Sequence, residues 1–255
     1  MTLSVIGCGA MGGSMIEGWL KTDIITPSNI TAADPFESSL KRFVTTGITT
    51  TTDNRTAAKE KDIVCVVVKP WLVENVLTDI KDSLNNNQIL IVVAAGVSLA
   101  QVKAVVGDDI SVVLCIPNTA IAVKASMTFI VPDANVTDEQ LATIKSLFEA
   151  TGSCMKVEEK QLSSATVLAS CGIAYAMRYV RAASEGGVQL GFKADMAKDI
   201  VLQTVKGAVE LLQASGKHPE EEIDKVTTPG GLTIRGLNTM EQNGFSNAVI
   251  QGLLA

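Results

Sequence analysis

Four short stretches, Leu3–Ile6, Ile63–Val68, Gln88–Val93 and Ser111–Ile116, are apolar almost without a break. A strand with one wet face alternates polar and apolar residues. Continuous runs such as Ile63–Val68 and Gln88–Val93 are instead the pattern of strands buried on both faces, which occur in parallel sheets covered by helices on either side; Leu3–Ile6 and Ser111–Ile116 read as strands as well. Ile30–Ala33, Met127–Val131 and Cys154–Val157 read as further strands. Helical spacing fills most of the intervals, over Ala10–Lys21, Pro35–Thr46, Trp71–Leu84, Ser98–Val106 and Val136–Ala150. Strands that alternate with helices through short connections predict an α/β domain with a doubly wound parallel sheet over residues 1–160.

After residue 160 no strand pattern occurs. Gln161–Leu190 and Lys193–Ser215 are rich in Ala, Ser, Leu and Val at helical spacing, and Pro219–Lys225, Gly231–Gln242 and Phe245–Leu254 follow as shorter helices. Residues 161–255 are therefore expected to form a second, all-helical domain. Gln161–Leu190 is long for a globular helix and has apolar surface to hide, which points to an interface between copies of the chain. A compact helical cap on a monomer is the alternative.

The first apolar run halts at GCGAMG, which sets Gly7, Gly9 and Gly12 in G-x-G-x-x-G spacing between a strand and a helix. In that context each glycine has a physical use. The first takes the tight turn, the second lets a pyrophosphate approach the backbone, and the third lets the helix pack on the sheet. Amides at the helix start, from Cys8 through Ala10 and Met11, then face the phosphates. This predicts dinucleotide binding by a Rossmann-type domain. Asp34 follows the second strand, where a carboxylate accepts hydrogen bonds from an adenosine ribose and repels a 2′-phosphate, a lean toward NADH over NADPH. Asp34 also fits as a cap for a helix starting at Pro35. Further cofactor contacts are expected at the carboxyl ends of later strands, from Val68, Lys69 and Pro70, from Ala94, Ala95 and Gly96, and from Asn118; Asn54 belongs to the same set. Ordinary turn chemistry also accounts for Pro, Asn and Gly in such loops.

Composition removes other classes. The chain has 255 residues, 47% hydrophobic, with a net charge of −6 and no basic run, so a nucleic-acid partner is not expected. Its apolar runs are too short to span a bilayer, and MTLSVIGCGAMGG lacks the features of a signal peptide. Five scattered cysteines, none in C-x-x-C spacing, suit reduced thiols in the cytoplasm. One histidine and dispersed cysteines offer no metal site.

Taken with GCGAMG, the stretches VVVKP (Val66–Pro70), AAGVS (Ala94–Ser98), CIPNTA (Cys115–Ala120), CGIAY (Cys171–Tyr175), EGGVQLG (Glu185–Gly191) and VTTPGGLTIRGL (Val226–Leu237) resemble the pyrroline-5-carboxylate reductase family, in family order and over nearly the whole chain. The resemblance implies a Rossmann domain followed by a helical dimerisation domain, a homodimer and in some cases a larger ring of dimers. It implies reduction of the cyclic imine of pyrroline-5-carboxylate to proline by hydride from NAD(P)H. It places the substrate carboxylate against Val226, Thr228, Pro229, Gly230, Gly231, Leu232 and Thr233, with Thr233 as the catalytic candidate. The chain departs from the family's pattern at Leu114, Ala120, Ser126, Cys171 and Ile173, where arginine, proline, glycine, serine and proline are usual.

Three other readings compete. One is a reductase of a related cyclic imine. Another is a β-hydroxyacid-type dehydrogenase, disfavoured because Cys171–Arg178 holds no lysine. The third is a non-catalytic nucleotide-binding regulator that senses oxidation through Cys8.

Overall fold

In the computed structural model, which describes Met1–Ala255, all four apolar runs become strands of one eight-stranded sheet. The strands are β1 (Leu3–Ile6), β2 (Ile30–Ala33), β3 (Thr49–Thr51), β4 (Ile63–Val66), β5 (Ile89–Val92), β6 (Ser111–Ile116), β7 (Ser126–Pro132) and β8 (Gly152–Lys156). Their order is β3-β2-β1-β4-β5-β6-β7-β8. The helices of this part are α1 (Ala10–Trp19), α2 (Glu37–Leu40), α3 (Asn54–Ala58), α4 (Val73–Ile80), α5 (Leu99–Val106), α6 (Asp138–Glu149) and α7 (Leu162–Ala165).

Alternate residues of the central strands serve two separate cores. Leu3, Val5, Cys65, Ile91 and Val113 point to one face with Met15, Ile16 and Trp19 of α1 and Ile144 and Phe148 of α6. Ile6, Val64, Leu90 and Leu114 point to the other with Val73, Leu77 and Ile80 of α4 and Val102 of α5. Burial on both faces is what the unbroken apolar runs require. The departure residue Leu114 is thus a core residue, paired with Val92 and Val131 across the sheet.

The sheet is not wholly parallel. β6 and β7 pair antiparallel, Val113 opposite Pro132 and Ile116 opposite Phe129, while every other pairing is parallel. Only a short 3₁₀ turn, Thr119–Val123, joins β6 to β7, too little chain for the crossover that parallel pairing needs. Other expectations shift locally. The helix expected over Pro35–Thr46 is one α-turn continued by a 3₁₀ turn at Lys41–Phe43. The edge strand β3 and the short α3 have no counterpart among the expected elements. Capping boxes begin α5 at Ser98–Gln101 and α6 at Thr137–Gln140, each satisfying otherwise orphaned amides.

The chain divides into two units, Met1–Ser170 and Cys171–Ala255. The first extends past residue 160 because Leu162, Ala165 and Ala169 pack into the core on the α4 face. The expected single helix over Gln161–Leu190 is interrupted: α7 gives way to a π-helical turn, Thr166–Cys171, before α8 (Gly172–Gln189). The second unit is helical throughout, with α9 (Ala194–Ser215), α10 (Pro219–Lys225), α11 (Leu232–Gln242) and α12 (Phe245–Leu254). No helix of the chain is long and apolar enough to cross a membrane.

Candidate active site

Strand order reverses beside β1, which has β2 on one side and β4 on the other. The region outside the carboxyl ends of the strands at such a reversal is the usual ligand position in these sheets. The glycine loop after β1 lies there. Gly7 has φ +98°, and a Cβ on it would fall 2.2 Å from the carbonyl oxygen of Val67. A Cβ on Gly12 would fall 1.9 Å from the carbonyl oxygen of Gly7. These two are packing glycines. Gly9 differs, since a Cβ there meets nothing within 4 Å. It faces open space at the start of α1, where no side chain caps the helix. The first amides of α1 are therefore left for an acceptor from outside the chain. A bare backbone cradle with open space in front of it fits a dinucleotide pyrophosphate.

Asp34 closes one side of this loop. It is buried; Oδ2 accepts from the Cys8 N–H at 2.8 Å and Oδ1 from the Phe36 N–H at 2.9 Å. Arg42, to which the sequence reading attached no role, closes the other side. Its Nη2 donates to the carbonyls of Cys8 at 2.7 Å and Gly9 at 2.9 Å. No sequence signal marks Arg42, because a long side chain reaching back to a loop leaves no periodic trace.

The side chain of Cys8 points inward and is buried. Burial, with the carboxylate of Asp34 adding to it, pushes the thiol up to about 12. The reactive form of cysteine is the thiolate, so this thiol is poorly placed as an oxidation sensor.

Val68, Lys69 and Pro70 follow β4 beside the glycine loop; the Val68 side chain lies 2.8 Å from a Cβ placed on Gly7. Ala94, Ala95 and Gly96 follow β5, and Asn118 follows β6, so both lie along the same edge of the sheet, further from β1. The Asn118 side chain is committed within the fold. Its Oδ1 accepts from the Ala120 N–H at 3.0 Å, and its Nδ2 donates to the carbonyl of Ala169 in the π-turn at 3.4 Å. Ser126, another departure residue, accepts from the Asn118 N–H at 3.2 Å. Asn54 turns its Nδ2 toward Asp79 at 3.3 Å, leaving its buried Oδ1 without a partner.

The second unit holds the P-G-G-x-T loop. Gly230 has φ +70°, a conformation that disfavours other residues. The Gly231 N–H donates to the carbonyl of Thr228 at 2.9 Å, and a Cβ on Gly231 would lie 2.3 Å from Thr228 Oγ1. Arg235 Nη2 holds the carbonyl of Gly230 at 3.0 Å, a contact the sequence reading also missed. Gly231 is the N-cap of α11 and brings no side-chain cap, so the amides after it, at Leu232 and Thr233, open the helix unpaired by side chains. Val226 and Leu232 are largely exposed, Leu232 at 86%. A glycine-lined helix start of this kind attracts a small anion such as a carboxylate.

Residues 159–255 match the family model described as pyrroline-5-carboxylate reductase dimerisation, and residues 2–96 match the one described as NADP oxidoreductase coenzyme F420-dependent. Pyrroline-5-carboxylate reductase from Methanosarcina acetivorans is 34% identical, over 98% of this chain and 94% of that one. The chain belongs to the pyrroline-5-carboxylate reductase family. Pyrroline-5-carboxylate reductase 1 of Dictyostelium discoideum is 36% identical over 99% of this chain, which spans 48% of that protein's length. The crystal structure of Plasmodium falciparum pyrroline carboxylate reductase with NADP bound is 27% identical, with a TM-score of 0.92 over 99% of this chain and 94% of that one. Likeness to the pyrroline-5-carboxylate reductases thus runs through both units.

Proposed function

We propose that this chain reduces 1-pyrroline-5-carboxylate to proline with NAD(P)H, the last step in making that amino acid. Family membership supports the reading, and one observation carries it: the uncapped start of α1, with open space at Gly9, makes a seat for a dinucleotide. When bound, the reduced nicotinamide supplies a hydride to the imine carbon, so that C=N becomes CH–NH on a nitrogen already protonated.

The chain's own part is to bind and orient. Gly9, Ala10, Met11 and Gly12 offer backbone amides to the pyrophosphate. Asn54 Oδ1, buried and unpaired, suits a donor from the nucleotide. Val68–Pro70, Ala94–Gly96 and Asn118 extend the same edge. Asp34 places a carboxylate beside the loop and favours NADH, since a 2′-phosphate there meets like charge. In the second unit, Gly230, Gly231, Leu232 and Thr233 hold the substrate carboxylate, and Thr233 adds a hydroxyl. Fixing one ring against another at reacting distance supplies most of the rate gain when the electrophile needs no strong acid.

The second unit also supports a homodimer. Its helices bury Ala197 but leave Leu190 at 81%, Leu254 at 76% and Leu211 at 61% exposed. Covering such residues needs a second copy. A ring of dimers, and a cytoplasmic setting that keeps the five free cysteines reduced, complete the proposal.

The test is loss of nicotinamide absorbance with purified protein and pyrroline-5-carboxylate, with NADH and NADPH in parallel and the six-membered homologue as a second substrate. Turnover of the five-membered imine is expected, faster with NADH. A folded protein that binds nucleotide but turns over only the homologue would move the substrate assignment. Sedimentation of the same sample reads the oligomer.

A further inference from the structure

The two peptides that flank the Cα of Cys8 are each held by a side chain. The Cys8 N–H is held by Asp34 and the Cys8 carbonyl by Arg42. Arg42 comes from the 3₁₀ turn after α2, and four contacts fix its guanidinium. Nη2 donates to the carbonyls of Cys8 and Gly9, Nη1 pairs with Glu17 of α1 at 3.2 Å, and the guanidinium carbon stands 4.8 Å over the Phe43 ring. The group lies where a side chain on Gly13 would be: a Cβ there would fall 1.5 Å from Nη2, and its three nearest atoms all belong to Arg42. Gly13 is outside the G-x-G-x-x-G pattern, so dinucleotide binding does not by itself ask for glycine there.

A phosphate loop works only if its N–H groups face the ligand and its carbonyls face away. Either peptide, at Cys8 or Gly9, becomes repulsive to an anion if it flips. Both flips turn a backbone torsion of Gly9, which glycine makes cheap. The Gly9 carbonyl already accepts the first bond of α1, from the Gly13 N–H at 3.0 Å; Arg42 adds a charge-assisted bond to it and holds the Cys8 carbonyl as well, so either flip gives up a charge-assisted hydrogen bond. We propose that Arg42 is a positioning residue for nucleotide binding, acting through the Cys8 and Gly9 carbonyls, and that Gly13 is glycine to admit it. This rests on the dinucleotide reading of the loop. In this role Arg42 serves the part common to NADH and NADPH, and its effect is blind to the 2′-phosphate.

The experiment is titration of the full chain with NADH and with NADPH, followed by nicotinamide fluorescence, alongside thermal melting. Arg42→Met should weaken both cofactors by the same factor, about tenfold or more. Arg42→Lys should recover part of the loss, since one ammonium still reaches a carbonyl but lacks the fork. Gly13→Ala should copy the binding loss with an unchanged or raised Tm, because its methyl displaces only the tip of a side chain and helix interiors favour alanine. The double variant should bind no worse than Arg42→Met. Unchanged affinity in Arg42→Met overturns the proposal. So do a loss confined to NADPH, which makes Arg42 a phosphate ligand, and additive losses in the double variant. A folded wild-type chain that binds neither cofactor overturns the dinucleotide reading itself, and this proposal with it.

Discussion

Asp34 accepts the Cys8 N–H at 2.8 Å through one oxygen and the Phe36 N–H at 2.9 Å through the other. The residue that sequence alone reads as a ribose acceptor or a helix cap is thus also a strut for the phosphate loop. Asp34→Asn keeps the shape but has a single oxygen to accept with. One buried amide is left unpaired, at a cost of about 1–3 kcal/mol. On the proposed cofactor reading, the charge that repels a 2′-phosphate is also removed. Urea unfolding should show the loss, and the ratio of kcat/KM for NADPH over NADH should rise about tenfold. An unchanged ratio would remove Asp34 from any part in cofactor choice.

The three glycines of the loop separate by what a methyl group would meet. At Gly12 it meets the Gly7 carbonyl at 1.9 Å, a backbone atom that cannot swing away. At Gly9 it meets nothing within 4 Å. Gly12→Ala should therefore lower stability by about 1–3 kcal/mol along with binding. Gly9→Ala should melt like wild type and still lose affinity for both cofactors, because its methyl enters the space for the pyrophosphate. Melting curves and cofactor titrations on the two variants test this; wild-type affinity in Gly9→Ala would show that the open space is not a nucleotide seat.

What could be read from sequence follows from which requirements are local. Burial on both faces must be written residue by residue, so β4 and β5 are legible in Ile63–Val68 and Gln88–Val93, and the short runs Leu3–Ile6 and Ser111–Ile116 mark β1 and β6. Turns that need glycine at Gly7 or Gly230 are equally local. The edge strand β3 is three threonines with no apolar residue to signal burial, and only its register against Thr31–Ala33 makes it a strand. The π-turn at Thr166–Cys171 has the composition of an α-helix. Arg42 acts at carbonyls 33 and 34 residues away that only folding brings near, while Arg235 reaches a carbonyl five residues back over the start of α11, a local contact that no motif announces. The antiparallel β7 depended on a connection length that a few residues at Pro117–Ala125 decide.

Gly231 should separate substrate binding from cofactor binding. A Cβ there lies 2.3 Å from Thr228 Oγ1 and 3.0 Å from the Thr228 carbonyl, so Gly231→Val pushes the loop open at the start of α11. The loop is largely exposed, and the fold should lose little. The expected result is a KM for the imine raised about tenfold or more, with nucleotide affinity unchanged. A Tm that falls in step with activity would mean the glycine is structural only.

Alkaline stability should report the buried thiols. Burial raises Cys8, first by desolvation and then by Asp34, from 9.0 to about 12, and Cys154 to about 11; Cys65 and Cys115 are raised by burial as well. The unfolded chain releases these protons near 9.0, whereas the folded chain keeps the Cys8 proton until about 12. Between those values the unfolded state binds fewer protons, so stability falls as pH rises; below about 9 the full contribution is present. One such thiol accounts for about 1.4 kcal/mol between about pH 8 and about pH 10. Cys8→Ala should show a shallower decline over that interval by about this amount in urea unfolding. Parallel declines in the two proteins would mean that Cys8 ionises in the folded state as readily as in the unfolded one, and the oxidation-sensor reading of the phosphate loop would regain its footing.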